Sequence, residues 1–309
     1  MIYDLVILGG GPAGCAAAVY SARKQLKTIL ITGEFGGQST VSTLIYNWIG
    51  TPEISGMDLG ENLKKHILYY KGEFLDIVEG ERISKITKDA NIFNITTNSG
   101  KTYQSRTVLV ATGSGRRKLE AENADKFEHK GITYCASCDG PLFSDQDVVV
   151  LGGGNAGFET ALQLSAYCKS VTMLHRSNDF KADEITIEKA LANPKIKAVK
   201  NVDIVRVDGE QFVSSITYKD KNTGEETKLP ATGIFVEIGQ IPNTEFLKDL
   251  SLLNKEGKII VNPINQRSQI DGLWAAGDAT DGLYHQNNIA AGDAVKALED
   301  IYIWIHKNS

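Results

Sequence analysis

The sequence predicts an α/β protein built from two Rossmann-like, three-layer units, the second inserted into the first. Three observations predict it. A glycine turn between an apolar strand and a helix opens the chain at Gly9, and another begins 143 positions later at Gly152. A late strand ending in Gly277-Asp278 follows the second unit and returns the chain to the first. The 309 residues also suit two domains, since single domains hold roughly 100–200 residues.

In the first unit, residues 3–8 read as a strand, Gly9-Gly10-Gly11-Pro12-Ala13-Gly14 as the turn, 15–24 as a helix and 28–32 as the next strand. That context makes the glycine spacing a dinucleotide fingerprint. Gly9 makes the tight turn, Gly11 admits a pyrophosphate to the backbone, and Gly14 lets the helix pack against the strand. Pro12 and Ala13 complete the run at the helix start, where unpaired N–H groups and the positive dipole end favour phosphate. Glu34, 20 residues past Gly14, lies near where a ribose-binding carboxylate belongs.

The second unit repeats the order, with a strand at 148–151, Gly152-Gly153-Gly154-Asn155-Ala156-Gly157 as the turn, a helix at 158–167 and a strand at 171–175. Gly152, Gly154 and Gly157 take the parts of Gly9, Gly11 and Gly14, with Asn155 and Ala156 between them. Two such turns argue for two bound dinucleotides; one live site and one relic is the alternative. No acid stands at the end of the second unit's second strand, where His175-Arg176-Ser177 follow Leu174. Arg176 offers the planar donor fork that a 2′-phosphate prefers, and Lys181 is a second cation. This favours NADPH over NADH; two solvated loop charges are the competing reading.

Of four cysteines, Cys135 and Cys138 lie three apart in Tyr134-Cys135-Ala136-Ser137-Cys138-Asp139-Gly140-Pro141. A pair so spaced closes a small disulfide ring. Zinc would need more ligands than this spacing supplies, so redox work is the better reading and no metal is expected. Asp139 can move a proton to or from a thiolate, or cap the turn into Gly140-Pro141. Cys15 and Cys168 read as buried apolar fillers. Direct hydride transfer from a nicotinamide to a disulfide is not ordinary chemistry, whereas a flavin accepts a hydride and reduces a disulfide. The first fingerprint is therefore expected to hold FAD.

Residues 107–111 form a further strand ending in the small-residue turn Ala111-Thr112-Gly113, and 234–238 before Gly239 repeat the pattern. Asp278 suits a flavin ribityl hydroxyl or the cap of the next helix. That helix, 288–307, shows an apolar stripe of Ile289, Val295, Leu298, Ile301 and Ile305, and its start near Gln286 faces the cofactor. These elements place an FAD domain at 1–113 plus 245–309 and a nucleotide-and-dithiol domain at 117–242. Because nicotinamide and dithiol share one domain, its rotation would let them take turns at the flavin.

The composition, 42% hydrophobic and 23% charged with net charge −5, excludes a disordered chain and offers no basic face for nucleic acid. No apolar stretch is long enough to span a membrane, and the start leaves no room for a signal peptide. A cytoplasmic enzyme is expected.

With the dithiol run and both fingerprints in place, the sequence resembles the low-molecular-weight thioredoxin reductases over essentially its whole length. It is also similar to the flavoprotein core of bacterial alkyl hydroperoxide reductase. Gly36-Gly37-Gln38, Ala111-Thr112-Gly113 and Gly277-Asp278 extend the likeness. The resemblance implies FAD held by the first and last segments, a homodimer and domain rotation. It implies that Cys138 faces the flavin, Cys135 attacks the partner disulfide and Asp139 is the acid. Thioredoxin-disulfide reduction is the expected activity, with NADH-dependent reduction of a peroxiredoxin-linked or glutaredoxin-like partner as the alternative and a nonenzymatic flavin-binding module as a distant third. The peroxide-system protein has additional thioredoxin-like modules at its N-terminus that this chain does not show, so a separate thioredoxin- or glutaredoxin-like partner is expected. Two departures stand out. NADPH-type reductases show His-Arg-Arg where this chain has His175-Arg176-Ser177, and Arg-Gln where it has His285-Gln286, which bears on flavin or donor contacts.

Overall fold

The apolar run that opens the chain becomes strand β1 (Ile2–Gly10), buried over most of its length because both of its faces are covered. The computed structural model describes residues 1–42 and 44–308. They fall into two units, Met1–Gly115 with Ile241–Ser309, and Arg116–Gln240.

In unit 1, β1 leads to helix α1 (Pro12–Arg23), strand β2 (Thr28–Phe35), helix α2 (Gly56–Tyr70) and strand β3 (Leu75–Glu79). Strands β4 (Ile83–Asp89), β5 (Ile92–Thr97) and β6 (Thr102–Val110) follow. The sheet order is β3-β2-β1-β6-β5-β4. β1 runs parallel to β2 and β6, whereas β4, β5 and β6 are antiparallel to one another in turn. Helix α1 starts earlier than periodicity suggests because Pro12 at its first position needs no N–H partner and has the helical φ built in.

Short strands β7 (Ser114–Arg116) and β16 (Gln240–Pro242) lie at the two crossings. Between them, unit 2 contains strand β8 (Ile132–Thr133), the single-turn helix α3 (Ala136–Asp139), strand β9 (Asp147–Leu151), helix α4 (Asn155–Leu164) and strand β10 (Ser170–Leu174). Helix α5 (Glu184–Leu191) and strand β11 (Ile196–Val199) come next. An antiparallel meander of β12 (Val202–Gly209), β13 (Val213–Asp220) and β14 (Glu226–Pro230) precedes β15 (Gly233–Val236). The main sheet is parallel throughout, in the order β11-β10-β9-β15-β8.

The chain then re-enters unit 1, where strand β17 (Leu273–Ala275) pairs with β6 and helix α6 (Asn287–Lys307) follows. The fold is thus two Rossmann-like α/β units, each with its own core. Alternation along β1 sends Leu5 and Ile7 toward α1 and α6, and Val6 and Leu8 to the opposite face with Phe93, Leu247 and Ile259. In unit 2, Val148 and Val150 pack with Phe158 and Leu164 of α4, while Val149 and Leu151 pack with Val213 and Ile216 of the meander.

Helix α6 departs from the expected stripe. Its buried residues are Ala290, Ala294, Ala297, Leu298, Ile301 and Ile305, while Ile289 is 38% exposed and Val295 half-buried. The reason is its neighbour. Helix α1 presents Ala17 and Ala18 in the same core, and two alanine-lined faces let the helices approach closely. No described helix is long and apolar enough to cross a membrane.

Candidate active site

Unit 1 contains a cavity of about 670 Å³ at the end of β1, lined by residues of that unit alone. Gly9 has φ +112°, and a Cβ there would lie 2.3 Å from the Ala111 carbonyl oxygen. Only glycine makes this turn without strain. A Cβ on Gly14 would lie 1.8 Å from the Gly9 carbonyl oxygen, so Gly14 sits behind the turn and does not line the cavity. Gly11 differs: a Cβ there would meet nothing within 4 Å. Gly11 caps α1 with no side-chain hydrogen bond, and the first turn of the helix carries no acid. The donors at that end are therefore open to an anion, which is what a dinucleotide pyrophosphate requires.

Pro12, Ala13, Glu34, Gly37, Gln38, Ala111, Thr112, Gly113, Gly277 and Asp278 all line this cavity. Glu34 is the second-last residue of β2 and lies 4.0 Å from Arg82. Thr112 and Asn243 are tied by two hydrogen bonds, Thr112 Oγ1 to the Asn243 carbonyl (2.8 Å) and Asn243 Nδ2 to the Thr112 carbonyl (2.9 Å). Asp278 does not cap α6; Gln286 holds that position, and Asp278 sits in a short 3₁₀ turn, Gly277–Ala279. A cavity of this volume, with a bare helix start at one wall and hydrogen-bonding groups such as Thr32, Glu34, Gln38 and Asp278 around it, fits FAD.

In unit 2 the second turn has the same construction. Gly152 has φ +131°, and a Cβ on it would lie 2.3 Å from the Glu237 carbonyl oxygen. A Cβ on Gly157 would lie 2.7 Å from the Gly152 carbonyl oxygen. Gly154 caps α4 without a side-chain bond, its Cβ position is open, and no acid occupies the first turn, which holds Asn155, Ala156 and Gly157. Asn155 hydrogen-bonds both the backbone N–H and the carboxylate of Asp183. Arg176 lies exposed just past β10, and the Lys181 backbone N–H donates to the Gly153 carbonyl (2.7 Å), which keeps Lys181 beside the turn.

The pair Cys135–Cys138 is a disulfide in the same unit, with Cα atoms 5.3 Å apart. Cys135 is the N-cap of α3, and its sulfur accepts a hydrogen bond from the Cys138 N–H (3.2 Å). Both cysteines are half-buried, so a closed ring of sulfur stands at the start of a helical turn with partial access from outside. A closely spaced disulfide in a unit with its own glycine turn, in a chain whose first turn opens on a cavity, decides the kinship. Residues 3–294 match the pyridine nucleotide-disulphide oxidoreductase family. The chain belongs to that family.

Relatives of this oxidoreductase sharpen the picture. An alkyl hydroperoxide reductase component of Staphylococcus aureus (strain MSSA476) is 38% identical over 308 residues, 99% of this chain and 60% of that one. NADH dehydrogenase of Bacillus subtilis (strain 168) is 37% identical over 306 residues, 99% of this chain and 59% of that one. The chain thus spans about 60% of the length of the curated relatives it matches. Among solved structures, thioredoxin reductase from Streptococcus pyogenes MGAS5005 aligns with a TM-score of 0.89 at 31% identity, over 99% of each chain.

In this oxidoreductase Asp139 does not cap the following turn with its side chain. Its carboxylate instead accepts a hydrogen bond from the Thr133 hydroxyl at the end of β8, which fixes it one residue from Cys138. The other two thiols are inert by burial: it pushes Cys15 up to about 12 and Cys168 to about 11. His285 and Gln286 do not line the cavity. His285 lies between Lys258 (3.1 Å) and Asp278 (3.5 Å), so it touches the cavity only through Asp278. Asn287 does line the cavity, in keeping with the helix start expected at the cofactor, but several lining residues carry no local sequence mark, among them Arg82, Asn98, Phe246 and Ala290. Strand pairing, the 3₁₀ turn Glu245–Leu250 and the packing of α6 bring them in.

Proposed function

We propose that the chain is a flavin-dependent reductase of protein disulfides, with electrons passing from a nicotinamide nucleotide through FAD to Cys135–Cys138 and then to a thioredoxin-like partner. The observation that carries this reading is the Cys135–Cys138 disulfide set in a unit that has its own dinucleotide turn. FAD belongs to unit 1 and the nicotinamide nucleotide to unit 2. When bound, FAD supplies the step between a hydride donor and a disulfide.

The chain's own residues do the rest. The N–H groups at the start of α1, with Gly11 leaving the space clear, hold the FAD pyrophosphate; those of α4 past Gly154 hold that of the nicotinamide nucleotide. Reduction of the ring opens the Cys135–Cys138 bond. Cys135, at the helix start and with its sulfur already accepting an N–H, is the thiolate that attacks the partner disulfide. Cys138 then displaces the partner's second sulfur and closes the ring. The partner leaves with its disulfide reduced, and the electron pair it gained is the one Cys135–Cys138 lost. Asp139, held by Thr133, moves the proton at the Cys138 sulfur.

Arg176 beyond β10, with Lys181 beside the turn, supports NADPH as the donor. NADH is the second reading, favoured by the Bacillus subtilis relative named NADH dehydrogenase. A glutaredoxin-like or peroxiredoxin-linked partner is likewise the second reading for the acceptor, favoured by the peroxide-system relative. The working form on this reading is a cytoplasmic homodimer.

Anaerobic titration of flavin-loaded wild type and Cys138→Ser with NADPH and NADH in parallel tests it. Both proteins are expected to lose flavin absorbance, faster with NADPH, and only wild type to reduce thioredoxin. A Cys138→Ser protein that still reduces thioredoxin sinks the dithiol route, and absorbance unchanged by either nucleotide sinks the donor.

A further inference from the structure

Glu237, the residue after β15, takes in unit 2 the place that Ala111 takes in unit 1. The Ala111 N–H donates to the Leu8 carbonyl at 2.8 Å, and the Glu237 N–H to the Leu151 carbonyl at 2.8 Å. A Cβ on the tight-turn glycine would strike the carbonyl oxygen of Ala111 in one unit and of Glu237 in the other, at 2.3 Å in both. Both residues stand where the strand order reverses, between β1 and β6 in one sheet and between β9 and β15 in the other. Ligands of open α/β sheets bind at that gap. In unit 1 Ala111 is a wall of the cavity; unit 2 puts a carboxyl group in the same place.

This carboxyl is held in position. Glu237 is half-buried, and its Oε1 accepts a hydrogen bond from Thr160 Oγ1 (2.9 Å) on the second turn of α4. Burial, helped by Glu159 on α4, outweighs the Thr160 bond and the charge of Arg116, and together they leave it pushed up to about 7. Arg176 past β10 marks the adenosine side of the turn, and the start of α4 takes the pyrophosphate. What remains beside β15 is the nicotinamide end.

We propose that Glu237 recognises the nicotinamide end of the nucleotide, its carboxylate favouring the cationic oxidised ring over the neutral reduced one. The proposal rests on unit 2 being the nicotinamide-nucleotide unit. An ionised carboxylate in a partly desolvated site attracts the pyridinium, and a protonated one does not. Product affinity is therefore lost as pH falls through 7.

The test is calorimetric binding of NAD⁺, NADP⁺ and ADP-ribose to the flavin-loaded protein at pH 6 and pH 8. Whichever oxidised dinucleotide binds more tightly is expected to gain up to about tenfold in affinity between those values, following the ionised fraction of one group. ADP-ribose, which lacks the ring, is expected to change little. Glu237→Gln keeps an acceptor for Thr160 and is expected to abolish the gain. Thr160→Val, which removes the hydrogen bond, is expected to move its midpoint upward, and serves if the first variant does not fold. A flat wild-type profile, an equal gain in Glu237→Gln or with ADP-ribose, or an unmoved midpoint in Thr160→Val overturns the proposal. Failure of the wild type to bind any of the three probes instead overturns the nucleotide reading of unit 2, and the proposal falls with it.

Discussion

Gly9 and Gly11 are two positions apart and are glycine for different reasons. Gly9 has a positive φ, and a side chain there would collide with backbone, so Gly9→Ala strains the empty protein itself. Gly11 has φ −76° and open space around its Cβ position, so Gly11→Ala costs the fold little and places a methyl group in the space proposed for the pyrophosphate. The expected outcome is a split. Gly9→Ala destabilises the flavin-free protein by an amount of order 1–3 kcal/mol, read as a lowered melting temperature. Gly11→Ala leaves that temperature unchanged but lowers the flavin-to-protein absorbance ratio after purification. Equal effects of the two on both measures would refute the distinction. Spacing along the chain reveals both glycines, since each belongs to the local run of strand, glycine turn and helix, although the carbonyl that Gly9 must clear is that of the distant Ala111. It does not reveal Glu237, whose place is visible only once β15 has paired with β9.

Among the elements, α6 combines two tasks. Its middle and end fill the core beside α1, and its first turn brings Asn287 and Ala290 to the cavity. Asp300, on the same helix, accepts hydrogen bonds from Arg267 and from Nε1 of the buried Trp274 (2.9 Å). Burial pushes the Asp300 carboxyl up, but those two donors outweigh it and hold the group below the usual carboxylate range. A depressed carboxyl contributes stability above its unfolded pKa and loses it as pH falls through the folded one. Asp300→Ala, which strands the Trp274 N–H, is therefore expected to cost about 1–3 kcal/mol near neutral pH. The gap from wild type should narrow below about pH 4. Denaturant titration at both pH values checks this, and a gap that widens in acid contradicts it. The helix itself was legible in the sequence, but its buried face was only half so. Leu298, Ile301 and Ile305 are conspicuous, whereas Ala290, Ala294 and Ala297 matter because α1 is equally slim, a property of the neighbour.

For the whole molecule, two units with separate sheets and cores are expected to answer to separate ligands. A ligand that binds only the folded form stabilises it by about 2.7 kcal/mol at a hundredfold excess over its Kd. Calorimetry of the flavin-free protein should resolve two transitions, one raised by FAD alone and the other by nicotinamide nucleotide alone. A single transition raised equally by both would count against the assignment of one ligand to each unit. The duplicated plan was legible because each unit begins with a local signal, the strand, glycine turn and helix. The cavity wall was legible only in part: Arg82 and Asn98 of the β4–β5 region carry no local signal, whereas Glu34, Gln38, the Ala111–Gly113 turn, Asp278 and the start of α6 do, the last two reached only late in the chain.

That last contribution bears on biosynthesis. Gly277, Asp278, Asn287 and Ala290 follow the whole of unit 2 in the chain, yet complete a chamber that begins at Gly9. A ribosome stalled near residue 240 would display the glycine turn with one side of its chamber missing. On the proposed reading, flavin is expected to be captured only after helix α6 has emerged and docked.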